Sequence, residues 1–205
     1  MRPLVSTLLL LLIIAPRAAT AHPTGTPHRH VTSYGYRAEG TDDELRGYLG
    51  TGGTLLATVS QTGGPELVSA GGGGSLWAGL RLGSWLGFEA GWTATFHGGP
   101  QAAAETSPTL HHLWAELKLH LPTRSRAAPF LAAGGGYALL GRSGTGVDFR
   151  GPGAQTGLGF DVWVSPFLTL GPAVRYFACN LQPQAAGPST LLQGLSMSVA
   201  LAAHF

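Results

Sequence analysis

The feature that most constrains this chain is an alternation of apolar and polar residues in short segments from Gly47 onward. A period of two places successive side chains on opposite faces of an extended strand, so each segment predicts a strand with two chemically different faces. Breakers rich in Gly, Pro and Ser separate the segments and predict turns or loops. The pattern predicts eight strands, at residues 48–59, 72–82, 86–96, 109–121, 128–140, 154–164, 167–179 and 191–205.

When apolarity alone sets the phase of each strand, the charged residues fall on the small or polar face. In the third strand, for example, Leu86, Phe88 and Trp92 share one face and Glu89 lies on the other. If the apolar faces meet lipid, a shift of one residue would expose a charge to hydrocarbon at a cost of about 2–4 kcal/mol near the midplane. The register is therefore well determined. The predicted inner face carries a lumen ion-pair network of Arg81, Glu89, Glu116, Lys118, Asp161 and Arg175.

Composition favours a membrane barrel over its main competitor, a soluble up-and-down barrel that would place the apolar face inside. Charged residues make up 11% of the chain, against about 25% in a typical soluble domain. The polar face is mostly Gly, Ala, Ser and Thr, which would solvate poorly in water but suits a crowded lumen. Each segment also reaches the roughly 9–11 residues that a tilted membrane strand needs.

Other protein classes are excluded by simple counts. Beyond the N-terminus no apolar run approaches the roughly 18 residues of a transmembrane helix. The net charge of +2 comes from scattered residues, so no basic cluster indicates a nucleic-acid partner. Cys179 is the single cysteine, which leaves no disulfide framework or cysteine metal site within one chain. We therefore expect no cofactor and no metal site.

The predicted connections alternate in length. The links 83–85, 122–127 and 165–166 are short, whereas 60–71, 97–108, 141–153 and 180–190 are each about a dozen residues long. This asymmetry is typical of outer-membrane barrels, which have tight periplasmic turns and long outer loops. The pattern predicts an all-β, eight-stranded antiparallel up-and-down transmembrane β-barrel with both chain ends in the periplasm.

The first residues indicate export. Arg2 is followed by an unbroken apolar run, Leu8–Ile14, and Ala19-Thr20-Ala21 is a small-x-small cleavage site. We predict a signal peptide at residues 1–21, a periplasmic N-terminal tail at 22–46 and the barrel at 47–205. His22, His28 and His30 lie in this tail, where a disordered segment is favoured over metal binding.

Several side chains are predicted to fill or border the lumen. An eight-stranded barrel is just wide enough for side chains to fill it, and the phasing turns Trp77, Trp114, Tyr137 and Trp163 inward along with the charges. Aromatic belts are expected on the exterior, from Phe88, Phe130 and Phe205 near one rim and Trp92, Phe96 and Tyr176 toward the other. Pro172 does not fit the strand pattern, because it is predicted on the outer face in the middle of a strand. A bulge at Gly171–Pro172 would accommodate it.

The final residues, 195–205, alternate strictly and end in phenylalanine, with Val199, Leu201, Ala203 and Phe205 on the apolar face. This stretch resembles the C-terminal assembly signal of bacterial outer-membrane barrels. Together with the strand–turn–strand unit at 81–92, it makes residues 47–205 similar to the small OmpA/OmpX/OmpW-like β-barrel proteins. The resemblance implies a Gram-negative outer-membrane location, contact with lipid, and recognition by the barrel assembly machinery through the last strand.

The resemblance does not specify a task, because such barrels include anchors, adhesins, small channels and lipid-modifying enzymes. The deacylase pattern to expect is His-x-Ser-Asn after an Arg-aromatic pair. Residues 175–180, Arg-Tyr-Phe-Ala-Cys-Asn, begin similarly but contain neither histidine nor serine. We therefore expect a non-enzymatic barrel with a structural or surface-exposed role and a plugged lumen. A narrow passive channel is the alternative, followed by a lipid-modifying enzyme.

Overall fold

The chain forms a closed barrel of eight antiparallel strands, each hydrogen-bonded to the next, with β8 returning to β1. A computed structural model describes residues 45–64, 66–98, 107–123, 125–142 and 146–205. The strands are β1 (Leu45–Thr62), β2 (Gly71–Leu82), β3 (Leu86–His97), β4 (Thr109–His120), β5 (Ala127–Arg142), β6 (Gly146–Ser165), β7 (Leu168–Pro183) and β8 (Thr190–His204). The predicted fold class is confirmed.

The signal peptide, residues 22–44 of the predicted tail and the tail histidines lie outside the described residues. Strand β1 begins at Leu45, two residues before the predicted start of the barrel. Within the described part of the chain, no helix is long and apolar enough to cross a membrane.

The register of the strands fixes their tilt. The row of paired residues that leaves β1 at Tyr48 passes through every strand and returns to β1 at Thr58, ten residues further along. A stagger of this size requires strands tilted by roughly 35–45° to the barrel axis. Inward side chains from neighbouring strands therefore lie at different heights and interleave along the axis.

The two ends of the barrel have different connections. The terminal end carries both ends of the barrel segment and the links 83–85, 121–126 and 166–167, and the loop end carries 63–70, 98–108, 143–145 and 184–189. At the loop end the predicted long link 141–153 is wrong, because the ladder between β5 and β6 continues through Tyr137↔Pro152 to Arg142↔Gly146. Gly151-Pro152-Gly153 looks like a turn in sequence, but these residues pair with Ala138, Tyr137 and Gly136 of β5 and are held in a strand.

The orientation of the two faces separates the membrane barrel from the soluble one. Leu117 and Leu201 are 53% and 43% exposed on the outside, whereas Glu116 and Lys118 are 2% and 5% exposed inside. A soluble barrel would reverse this arrangement, because charges would meet water and leucines would fill the centre. The exterior is apolar on every strand, as a hydrocarbon-facing surface requires.

The phase of β5 differs from the prediction. Phe130 is 3% exposed and points into the lumen, and Tyr137 is 41% exposed on the outside. The segment 127–141 has almost no polar residues to mark its inner face. Inside the barrel the Phe130 ring lies across from Gly159 and beneath Lys118, whose Nζ is 3.9 Å from the ring centroid. The remaining predicted belt residues, Phe88, Trp92, Phe96, Tyr176 and Phe205, are on the exterior.

The expected bulge at Pro172 is absent. The register of β7 with β8 runs straight through Gly171↔Ala200 and Pro172↔Val199. On the β6 side the pairs Gly159↔Ala173 and Val162↔Leu170 keep one register, with no pair formed by Pro172 between them. The proline is exposed on the outer face and is accommodated by a local gap in the ladder.

Candidate functional site: the barrel lumen

Several large inward side chains of the lumen lie directly across from a glycine on the neighbouring strand. Tyr48 faces Gly79, and a Cβ at Gly79 would lie 2.2 Å from the tyrosine ring. The same arrangement holds for Trp77 with Gly50, Phe130 with Gly159, Arg175 with Gly157, Phe177 with Gly194 and Cys179 with Gly153. At these positions glycine is a packing requirement, because the side chain across from it occupies the space that a Cβ would need.

One cluster of charges lies toward the terminal end. Lys118 Nζ is 3.0 Å from Glu89 Oε1 and 3.3 Å from Asp161 Oδ2, so the ammonium bridges carboxylates from β3 and β6. His120 Nε2 is 2.8 Å from Asp161 Oδ2, and the Tyr48 hydroxyl donates to Glu89 Oε1 at 2.9 Å. The cluster joins side chains from β1, β3, β4 and β6 across the lumen.

A second cluster lies one inward-facing strand position closer to the loop end. Arg175 donates two hydrogen bonds to Glu116, from Nη2 to Oε1 at 2.6 Å and from Nε to Oε2 at 3.0 Å. Gln155 Nε2 donates to Glu116 Oε2 at 2.7 Å. Charge-assisted bidentate bonds of this kind are short and fix the geometry of both partners. Because β4 and β7 lie on opposite sides of the barrel, the pair spans the lumen.

Arg81 is placed differently from the other members of the predicted network. Its Nη2 donates to the carbonyl of Ser84 in the β2–β3 turn at 2.9 Å, and its Nη1 is buried with no hydrogen-bond partner in the part of the chain that the structure describes. Within the described ranges it forms no ion pair with Glu89, Glu116 or Asp161. It lies at the terminal end of the lumen because it precedes the turn 83–85 directly.

Side chains at the terminal end cover the first cluster. His204 stacks on Tyr48 with ring centroids 5.0 Å apart and lies 4.5 Å from the Trp163 ring. Its Nε2 is 2.9 Å from the Thr169 hydroxyl. His120 and His204 both lie at this rim and face inward.

The loop end of the lumen is mainly apolar, although Thr95, His97 and Thr190 are also buried there. Its buried cluster contains Leu56, Leu110, Ala138, Leu140, Phe177, Cys179, Leu181 and Leu192, together with Leu67 and Val68 from the β1–β2 connection. The inner face thus changes along the barrel axis, from charged toward the terminal end to mainly apolar at the loop end. The sequence did not predict this change, because the inner face of each strand was expected to be small or polar. Leu110, Leu140, Leu181 and Leu192 lie near strand ends, where the alternation was too short to define a phase.

A narrow cavity of about 80 Å³ remains between these layers. It is lined on its aromatic side by Trp77, Trp114 and Phe177, and on its polar side by Thr93 and Ser196. Trp77 Nε1 and His112 Nε2 border it and have no hydrogen-bond partner among the described residues. A space of this size and polarity has room for a few water molecules, which would satisfy both atoms.

The lumen also contains functional side chains that the sequence analysis did not single out. Tyr48 on β1 and Gln155 on β6 form hydrogen bonds with the two lumen glutamates, and both lie at positions that the alternation of their strands turns inward. That alternation could have identified them. Gln61, Leu67 and Val68 could not have been found from alternation, because they act through a loop that folds back over the barrel.

Cys179 and the pair of neighbouring histidines at 111–112 have ordinary structural environments. Cys179 is 1% exposed in the apolar cluster. His111 stacks outside on Trp92, and His112 points inside toward Phe177, so the pair faces opposite ways. In the described ranges, no three His, Cys, Asp or Glu side chains are arranged to hold a metal ion.

No protein-family model and no curated protein matches the sequence. Solved structures do match. The structure of Neisserial surface protein A has a TM-score of 0.59 at 16% identity, covering 78% of this chain and 97% of that one. The outer membrane protein OprG from Pseudomonas aeruginosa has a TM-score of 0.57 at 12% identity, covering 80% and 97%. With its apolar exterior and closed ladder, the chain has the fold of the small eight-stranded outer-membrane β-barrel proteins of Gram-negative bacteria.

Proposed function

We propose that this outer-membrane barrel is closed to solutes and has a structural role or acts through its outer surface. The observation that carries the proposal is the bidentate Arg175–Glu116 pair, which crosses the lumen between the Lys118 cluster and the apolar loop end. A permeating ion would have to displace buried, mutually paired charges and then cross an apolar layer. Both steps carry a large desolvation cost.

Conductance in planar bilayers tests this proposal. Folded protein is expected to give no steady current steps, and a heat-unfolded sample of the same preparation controls for detergent leakage. Uniform steps that depend on folded protein and scale with salt concentration would contradict the closed lumen.

A narrow passive channel for small solutes is the second candidate. The cavity of about 80 Å³ favours it, because unpartnered polar atoms beside the cavity indicate water inside the barrel. The same bilayer measurement decides between the candidates, since a water path that is continuous through both charge clusters would carry ions.

We also propose that the protein is not an enzyme. A nucleophile needs a base within hydrogen-bond reach and access to substrate. Cys179 packs against Gly153 in the apolar cluster and is 1% exposed, and the structure gives it no hydrogen bond to any described residue. Mass spectrometry of lipid A from cells with and without the gene is expected to show no difference. A change in acylation that follows the gene would overturn this proposal.

We propose further that the loop end faces the exterior and that the last strand is read by the assembly machinery. Phe205 closes the barrel through paired backbone bonds with Gly47: the Phe205 amide donates to the Gly47 carbonyl at 3.0 Å, and the Gly47 amide donates to the Phe205 carbonyl at 3.2 Å. Its ring is 76% exposed and leans over Gly47 on the outside, where another protein could contact it during insertion.

A further inference from the structure

The β1–β2 connection enters the mouth of the barrel at the loop end. Glu66 and Ala70 are exposed, whereas Leu67 and Val68 between them are 3% and 0% exposed. Both side chains belong to the apolar cluster that contains Leu56, Leu110 and Cys179. Residues 66–69 are called the strap below. They cover the upper lumen with two apolar side chains and leave a polar edge outside.

Side chains of the barrel wall hold the strap by its backbone. Gln61 Oε1 accepts hydrogen bonds from the Leu67 amide at 2.6 Å and the Val68 amide at 3.3 Å, and Gln61 Nε2 donates to the Val68 carbonyl. The Thr58 hydroxyl lies 3.2 Å from the Ser69 carbonyl. One glutamine therefore satisfies three backbone groups that would otherwise be buried without partners.

A second set of contacts anchors the far end of the strap to β3. His97 Nδ1 is 2.8 Å from the Ser69 carbonyl, and the Ser69 hydroxyl donates to the Gly98 carbonyl at 2.9 Å. None of these strap contacts is part of a strand ladder, since β1 ends at Thr62 and β2 begins at Gly71. The strap can therefore detach without breaking the pairing of any strand, which is the condition for local opening below the cost of global unfolding.

We propose that the strap is a latch, released at Gln61, that opens and closes the loop-end mouth while the barrel stays folded. Opening gives access from that side to the upper lumen as far as the Arg175–Glu116 pair, which still blocks passage. This inference goes beyond the closed barrel proposed above and rests on it, because the charge clusters make the opened space a blind vestibule.

Cys179 provides a built-in reporter, because it is the only cysteine and packs in the cluster that the strap covers. The experiment measures the rate at which a polar maleimide labels Cys179 in folded wild-type protein, Gln61→Ala and Val68→Ala. Gln182→Ala is the matched control, since Gln182 is exposed on β7 at the same end of the barrel. Gel mobility of unheated samples confirms that each barrel is folded.

We expect slow labelling in wild type and Gln182→Ala, and labelling about tenfold or more faster in Gln61→Ala, because three hydrogen bonds to the strap are lost. Cys179 in Val68→Ala should also be labelled faster, although this variant keeps the hydrogen bonds that β1 side chains make to the strap backbone. Equal rates in all four folded proteins would overturn the latch. Bilayer conductance of the same variants keeps the two proposals apart: a conducting wild type refutes the closed lumen, whereas Gln61-independent labelling refutes the latch.

Discussion

At the scale of single residues, the lumen is specified by size complementarity. The glycines opposite Tyr48, Trp77 and Phe130 are not interchangeable with alanine, because the missing Cβ is the space that the ring occupies. The outward glycine Gly53 faces no such limit. A Cβ at Gly53 would meet nothing within 4 Å. Sequence alone does not separate these two kinds of glycine until strand phase and register are both known.

We predict that Gly79→Ala destabilises the folded barrel by about 1–3 kcal/mol, because the Tyr48 ring must shift and its hydrogen bond to Glu89 is lost. Gly53→Ala should be neutral or stabilising by up to about 1 kcal/mol, since glycine is a poor strand residue. Urea unfolding of both variants in lipid vesicles measures the difference. Equal effects at the two positions would argue against the glycine–aromatic pairing.

The Glu116–Arg175 pair permits a second residue-scale prediction. Glu116→Gln or Arg175→Met alone leaves a buried charge without its partner, so each should cost about 3–5 kcal/mol. The double variant should cost less than the sum of the two single variants by about 1–3 kcal/mol. A double-mutant cycle on unfolding free energies checks this. Additive costs would show that the two side chains do not act as a pair.

At the scale of strands, the sequence was informative wherever polar residues marked the inner face. In β3, β4 and β8 the predicted and observed faces agree. Glu89 marks the inner face of β3, Glu116 that of β4, and Ser196 with its neighbouring inward serine that of β8. The phase of β5 could not be derived, since its residues are almost uniformly small or apolar. The loop-end limits of β5 and β6 were missed because Pro152 marks a turn in isolation, while its pairing with Tyr137 of β5 holds it extended.

The last strand carries a prediction about assembly rather than stability. Phe205 is 76% exposed, so Phe205→Ala should change the unfolding free energy by less than about 1 kcal/mol. If the residue is part of the assembly signal, the same variant should lower the amount of barrel inserted in cells several-fold. Phe167→Ala is the control, because Phe167 is a 68% exposed aromatic at the same end. An equal loss of inserted protein for both variants would indicate a general effect of rim aromatics.

At the scale of the whole molecule, alternation and charge placement were sufficient to predict strand number, closure and the inside–outside arrangement. The composition of the lumen along its axis was not predictable. The apolar mouth is assembled from one to three residues of each of β1, β4, β5, β7 and β8 and from the strap, so no single segment contains the whole pattern. The heights at which inward side chains of neighbouring strands interleave depend on the ten-residue stagger. That stagger is a property of all eight strands together.

The orientation of the barrel in a bilayer yields the last prediction. Outward positions Leu113, Ala115, Leu117, Leu119 and Leu121 follow the course of β4 toward the terminal end, with the last just beyond the strand. Arginine placed singly at each should destabilise the protein in lipid vesicles by about 2–4 kcal/mol near mid-strand and by about 0–1 kcal/mol at Leu121, because the cost follows depth in hydrocarbon. The same scan in mixed detergent micelles should flatten, since a micelle has no fixed midplane. A depth profile in vesicles that is flat, or highest at Leu121, would mean that this face does not span a membrane.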